Sequence, residues 1–287
     1  MNLQNIFTEI EKVDPEVYER FDTRRKVMKH FSSMSKKIAL AAVPMAVASM
    51  FTKAYGQTPQ DVNGVLNFAL TLEYLEAKFY NNIVGSAGFN TANAVDKAAL
   101  TNIRNDENKH VAFLKSVLGT AAVPEPIFDF SGGSGSGMGP FATYLTNYDM
   151  QLAMAQTFED TGVRAYKGQA GNVNSNDTVL TAALQIHSVE ARHASHIRKM
   201  RRTRAVLIPA GQTLKPWITL NQTGIDFPPA NAAIQKSYNG EELTIQAGVS
   251  IVGLGGSFND AAAASAGFDE PLTKEQVLDI VKIFIKP

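Results

Sequence analysis

Between residues 58 and 204 apolar side chains recur every three or four positions, the spacing of helices that each bury one face. The first helix is expected to begin at Thr58, a residue able to cap it, with Pro59 in the first helical position, and to stop near Gly85. Leu66, Leu70, Glu73, Ala77 and Tyr80 share one stripe of that helix. The same pattern predicts a second helix over Ala92 to Leu118, closed by Gly119, a third over Pro140 to Gln169 and a fourth over Asn176 to Arg204. Short links at 85–91 and 170–175 make an antiparallel hairpin of each pair. The 21-residue segment GTAAVPEPIFDFSGGSGSGMG joins the hairpins and is long enough to run the length of a bundle. The expected architecture is therefore all-α: a four-helix bundle of two antiparallel hairpins with one long crossover.

Both flanks depart from this period. Residues 205–270 carry short β-like runs such as ELTIQAGVSIV among glycines and prolines, the pattern of an irregular extension packed on the bundle. GLGG at 253–256 has the wrong spacing for a nucleotide fingerprint. PLTKEQVLDIVKIFI predicts a final docking helix with Thr273 as N-cap and Gln276 completing a capping box. At the other end, TRRKVMK (23–29) followed by the 14-residue apolar run IALAAVPMAVASMF (38–51) resembles a twin-arginine export signal, with cleavage near Ala54 or Gly56. That reading places the mature chain in the periplasm or otherwise outside the cytoplasm. The alternative is an alanine-rich helix in a cytoplasmic protein. A 14-residue helix spans roughly 21 Å, short of a hydrocarbon core of roughly 30 Å, and Pro44 interrupts it, so no membrane span is expected. Three segments follow: 1–57, 58–204 and 205–287.

Charge and composition narrow the chemistry. The 27 basic residues balance the 27 acidic ones, which leaves no long-range field for nucleic acid or an anionic membrane. The sequence contains no cysteine, so a metal must be held by oxygen and imidazole, and iron-sulfur relays are excluded.

Candidate ligands stand in the four helices. Glu107-x-x-His110 lies in the second and Glu190-x-x-His193 in the fourth, each pair one helical turn apart. With 14 glutamates and 5 histidines in 287 residues, chance supplies roughly a quarter of one such unit, so a single match would carry little. Here there are two, and each has a glutamate one helix earlier: Glu73, 34 residues before Glu107, and Glu159, 31 residues before Glu190. A tyrosine follows each of these glutamates by seven positions, Tyr80 and Tyr166, so the chain repeats a helix pair. In that repeat Glu76 aligns with Gly162 and drops out of the set. Carboxylates about 4 Å apart repel by about 4 kcal/mol per pair at an effective dielectric near 20. Two divalent ions would cancel four such charges and leave the imidazoles neutral. A polar core without metal is the competing reading.

One glutamate from each of two helices plus Glu-x-x-His from each of the other two resembles the ligand set of ferritin-like di-iron and di-manganese carboxylate proteins. LNFALTLEYLEAKFY and IHSVEARHASHIR, with the C-terminal extension, look most like the ferritin-like domain family of exported bacterial and desiccation-related plant proteins. The resemblance covers 58–204 and implies a ferritin-like fold. It implies Glu73, Glu107, His110, Glu159, Glu190 and His193 as metal ligands and catalytic residues, Glu107 and Glu190 bridging, and two Fe or two Mn ions per chain. The implied partners are those ions with peroxide or dioxygen, and a homo-oligomer is open. The function it implies is a ferroxidase-like or manganese-catalase-like oxidoreductase; a non-catalytic iron-binding protein or a structural stress protein is the alternative. A storage cage is disfavoured by the bulk of the C-terminal extension.

Neighbouring residues leave choices open. Asp106 is placed to accept the second N–H of a ligand histidine, and Val189 stands at the matching place in the other half. Tyr80 and Tyr166 either donate to ligand carboxylates or pack as rings. His187 and His196 fall about 60° beyond the ligand face and read as core-edge or surface residues. The cations of IRKMRRTR suit a helix C-terminus without any anion to bind.

Overall fold

A computed structural model describes residues 62–246, 248–253 and 258–287. The arginine pair and apolar run of the export reading, Thr58 and Pro59, and most of GLGG lie outside the described residues. Four long helices carry the fold: α1 (Val62–Ile83), α2 (Ala94–Leu118), α3 (Tyr148–Ala170) and α4 (Asp177–Arg204). α1 packs along α2 and α3 along α4, and α1 also touches α3, so the two hairpins close on each other. The helices form the four-helix bundle of two antiparallel hairpins expected from the periodicity. No helix among the described residues is long and apolar enough to cross a membrane.

Asparagines set the helix starts. Asn93 accepts the amide N–H of Asp96, Asn147 that of Met150 and Asn176 that of Val179, each covering a donor the helix leaves unpaired. Gly119, at φ +56°, ends α2, and Gly85, at φ +91°, follows α1. The third helix begins at Tyr148 rather than at Pro140, eight residues later than the pattern predicts. Residues 141–146 instead form turns, Tyr144 N–H donating to Phe141 O and Thr146 N–H to Thr143 O, until Asn147 supplies the cap. Proline permits a helix start; the capping side chain decides it.

The crossover folds on itself before reaching α3. Asp129 accepts the backbone N–H groups of Ser131, Gly135 and Gly137, which rolls the glycine-serine stretch around one carboxylate. Phe130 meets Phe79, Phe158 and Phe284 and draws the crossover, α1, α3 and the chain's end into one core. The final helix, α5 (Lys274–Val281), carries the expected capping box of Thr273 and Gln276. Just before it, Leu272 N–H donates to Arg164 O at 3.1 Å, and a β-carbon at Gly168 would collide with the Leu272 carbonyl oxygen. With α4, α1 and this returning segment around it, α3 is buried on nearly every face from Tyr148 to Tyr166. Its small residues, among them Ala153, Ala155, Thr161 and Gly162, permit that crowding.

The described chain divides into two compact units, one holding the bundle with 265–287 and the other holding 244–264. In the second, ELTIQAGVSIV forms a minimal antiparallel pair, Ile245 opposite Ser250 and Gln246 opposite Val249.

Candidate metal centre

The six glutamate and histidine positions singled out by the repeat converge at mid-bundle. Glu73 comes from α1, Glu107 and His110 from α2, Glu159 from α3, and Glu190 and His193 from α4. One ligating atom from each of Glu73, Glu107, His110 and Glu190 lies within 4.8 Å of the others, and the same holds for Glu107, Glu159, Glu190 and His193. Glu107 and Glu190 belong to both groups, where a shared carboxylate must stand. All four glutamates have no exposed surface, and His110 and His193 are buried.

Each imidazole points one nitrogen at several acids at once. His110 Nδ1 lies 3.0 Å from Glu107 Oε2, 3.1 Å from Glu73 Oε2 and 3.2 Å from Glu190 Oε1. His193 Nδ1 lies 2.8 Å from Glu107 Oε1 and 3.3 Å from Glu159 Oε2. A ring nitrogen carries one proton at most, so one donor faces three acceptors. The remainder go unsatisfied: Glu107 Oε1, Glu159 Oε2, both oxygens of Glu190 and His193 Nδ1 are buried without a hydrogen-bond partner among the described residues. Leaving a buried acceptor unpaired costs about 1–3 kcal/mol, more for a charged one. Five such atoms aimed at one small volume are what two divalent cations with oxygen and nitrogen ligands would satisfy.

Without such ions, protons carry the load. Burial, then repulsion from Glu190, pushes Glu107 up to about 7, and burial, then Glu73, pushes Glu190 up to about 8. Burial alone would lower His193, but the field of Glu159 and the close approach of the Glu107 and Glu159 carboxylates override it and raise the ring to about 11. His110 is likewise raised against its burial by Glu107, Glu190 and Glu73. All these shifts favour holding extra protons, the response of a site with too much negative charge.

The two tyrosines settle the choice left open by sequence. Tyr166 Oη donates to Glu73 Oε1 at 2.5 Å and Tyr80 Oη donates to Glu159 Oε1. Each tyrosine therefore serves the glutamate of the other half, a reciprocal arrangement that two antiparallel helices with the same seven-residue spacing produce. Tyr80 also packs edge-on against Phe79, so ring and hydroxyl both contribute.

Among the outlying residues, Asp106 Oδ2 stands 3.6 Å from His193 Nε2, close enough for an ion pair and too far for a hydrogen bond. His187 and His196 belong to neither group of possible ligands, and His196 is exposed. Glu76, set aside by the repeat, turns inward all the same. It is 3% exposed, its Oε2 has no partner among the described residues, and burial followed by the field of Glu190 raises its carboxyl well above the ordinary range. Gly162 is what admits it: a β-carbon there would sit 3.1 Å from Glu76 Oε1 and 3.3 Å from Glu190 Oε2. The missing side chain in one half is the space occupied by the extra acid of the other.

A second buried polar cluster escaped the sequence reading. Arg198 and Arg201, part of the run read as ordinary terminal cations, are each 2% exposed. Arg198 holds Asp160 through Nε at 3.2 Å and Nη2 at 2.5 Å. Arg201 donates to Gln156, Leu207 O and Gly224 O. Arg164 donates to Ser237 O, Asn239 O and Glu270 O and pairs with Glu241 at 2.6 Å. These arginines fasten the segments after α4 onto α3, and their partners, scattered from 156 to 270, leave no local pattern to read.

Comparison with curated proteins and with solved structures finds no match. The model of the ferritin-like domain matches residues 60–203, the span that carries all four helices and every residue of the carboxylate–histidine cluster. With half of the chain matched and the bundle in place, the chain belongs to the ferritin-like domain family.

Proposed function

We propose that this chain is a dinuclear metal oxidoreductase acting on ferrous iron with dioxygen or on hydrogen peroxide. The observation that carries the reading is the set of unsatisfied atoms shared between two overlapping ligand groups. Glu73 and His110 would hold one ion, Glu159 and His193 the other, and Glu107 and Glu190 would bridge them. Bound iron or manganese supplies a two-electron exchange at a pair of neighbouring ions.

The chain's own residues prepare that exchange. Tyr166 and Tyr80 fix the orientation of Glu73 and Glu159 by donating to one oxygen each and leaving the other free to ligate. Buried aliphatic and aromatic side chains around the cluster exclude water and keep the carboxylates' field strong. Burial and the neighbouring Glu190 favour the protonated form of Glu76, which would leave four glutamates to face two divalent charges.

The absence of cysteine from the sequence favours substrates that provide their own electrons. Two reactions balance on that condition. Two ferrous ions, one dioxygen and two protons give two ferric ions and one hydrogen peroxide; two hydrogen peroxides give two waters and one dioxygen.

Anaerobic reconstitution with ferrous iron or manganese is the test. Elemental analysis is expected to find close to two ions per chain, with Glu107→Ala and Glu190→Ala each losing most of that content. Oxygen uptake with excess ferrous iron, or oxygen release with peroxide, should then exceed one turnover per site. No metal retained in either reconstitution overturns the dinuclear reading. Two ions without turnover leaves a structural stress role.

A further inference from the structure

We propose that an apolar cavity inside the bundle, ending at Tyr166, binds dioxygen and delivers it to the carboxylate–histidine cluster; this rests on the dinuclear oxidoreductase reading and selects dioxygen as its oxidant. The cavity measures about 70 Å3 and is enclosed by all four helices at the end where α1 and α4 begin and α2 and α3 finish. Its inner wall is formed by Leu72, which precedes Glu73, by Ile186, one turn before Glu190, and by the ring of Tyr166, whose hydroxyl is spent on Glu73. Its outer wall includes Phe113 and Val117, 42% and 47% exposed, and the exposed Thr178. One end therefore opens toward solvent while the other stops one side chain from the acids.

The lining decides what enters. A buried water needs about 10–15 Å3 and two to four polar partners. Space is present and polar partners are few. Apart from Thr178 at the rim, the polar groups on the wall are Tyr166, engaged with Glu73, and Gln169, whose Oε1 accepts from Asn172. Hydrogen peroxide, a donor and acceptor like water, would lose its hydrogen bonds here and recover none. Ferrous iron would lose its hydration shell. Of the substrates compatible with the centre, dioxygen alone is apolar, and it gains dispersion contacts in a space too dry for its competitors.

The closing experiment separates occupancy from catalysis. In metal-free protein under raised oxygen pressure, paramagnetic relaxation of methyl groups is measured by NMR. The methyls of Leu72 and Ile186 are expected to relax several-fold faster than those of Leu75 and Ile103, which are comparably buried outside the cavity. Ala182→Leu, which fills the space, should abolish the difference, and Ala69→Leu serves if that variant does not fold. In iron-loaded protein the same substitution should leave metal content intact while raising several-fold the oxygen concentration that gives half-maximal ferrous oxidation. Equal relaxation at all buried methyls overturns the cavity as an oxygen site. Selective relaxation with unchanged oxygen dependence in the filled variant overturns delivery. Selective relaxation in a protein that binds two metals and oxidises no ferrous iron overturns the oxidoreductase reading, and delivery with it, while the cavity stands as an oxygen site.

Discussion

Glu159 and Asp160 are neighbours on α3, equally buried, and they face opposite clusters with opposite electrostatic character. On the Asp160 side, guanidinium groups of Arg164, Arg198 and Arg201 meet carboxylates and backbone carbonyls at hydrogen-bonding distance, and Tyr238 adds its hydroxyl to Asp160 at 2.7 Å. Glu241 Oε2 is the one buried oxygen of that cluster without a partner among the described residues. On the Glu159 side, five glutamates meet two imidazoles, and orphaned atoms accumulate. The first cluster is complete but for that one oxygen, and its arginines fasten the C-terminal segments. The second is incomplete among the described residues, and its orphaned oxygens and imidazoles are ligands that could hold metal ions. Burial of charge thus means opposite things one residue apart, and satisfaction of the buried atoms distinguishes them.

The largest effect expected from this contrast is on the complete side. Removing one member of a buried ion pair leaves the other uncompensated, which costs about 3–5 kcal/mol. Arg198→Ala should lower the free energy of unfolding by that amount in chemical denaturation, in metal-free and metal-loaded protein alike. A loss below about 1 kcal/mol would place Asp160 within reach of water and break the comparison.

On the incomplete side the sign reverses. In metal-free protein Glu190→Gln removes a charge that the fold resists and should raise stability, on the order of 1–2 kcal/mol near pH 8. The pH dependence follows from the same shifts. Glu107 and Glu190, raised to about 7 and about 8 from 4.5, bind more protons folded than unfolded between those limits, and His193, raised to about 11 from 6.5, does so at higher pH. Each contribution is fully present below the unfolded value and disappears as pH rises through the folded one. The free energy of unfolding of metal-free protein is therefore expected to fall from pH 5 to pH 9, at roughly 1.4 kcal/mol per pH unit for each extra proton held, and its melting temperature with it. Bound metal takes the place of those protons, so the loaded protein should show a shallower slope. A metal-free protein that grows more stable across this range would contradict the excess of negative charge.

How much of this was legible in the sequence depends on distance along the chain. Glu107 with His110 and Glu190 with His193 are each a single helical turn, so spacing alone placed them on one face, and the repeat added Glu73 and Glu159. Helix starts were legible where the cap and the pattern coincide, as at Asn176, and misplaced where Pro140 competed with Asn147. Glu76 was dropped because comparison of the halves counts side chains and is blind to the space a glycine leaves. The arginine cluster was hidden for another reason: in IRKMRRTR the helical period turns Arg198 and Arg201 inward and Lys199 and Arg202 outward, and the inward partners lie up to 45 residues away.

The last prediction refines the incomplete side from within. Tyr166 supports Glu73, which belongs only to the ligand group with His110, and Tyr80 supports Glu159, which belongs only to the group with His193. Tyr166→Phe and Tyr80→Phe should therefore each weaken one ion of the pair and spare the other, by about 10–100-fold, the usual cost of losing a group that orients a ligand. Stepwise titration of metal-free protein with manganese would show two binding events in the parent and in each variant, with one affinity displaced. The double variant should displace both, and because the tyrosines serve different carboxylates the losses should add within about 0.5 kcal/mol. Equal weakening of both ions by either single substitution would mean that Tyr80 and Tyr166 act through the packing of α1 against α3 rather than through the carboxylates they touch.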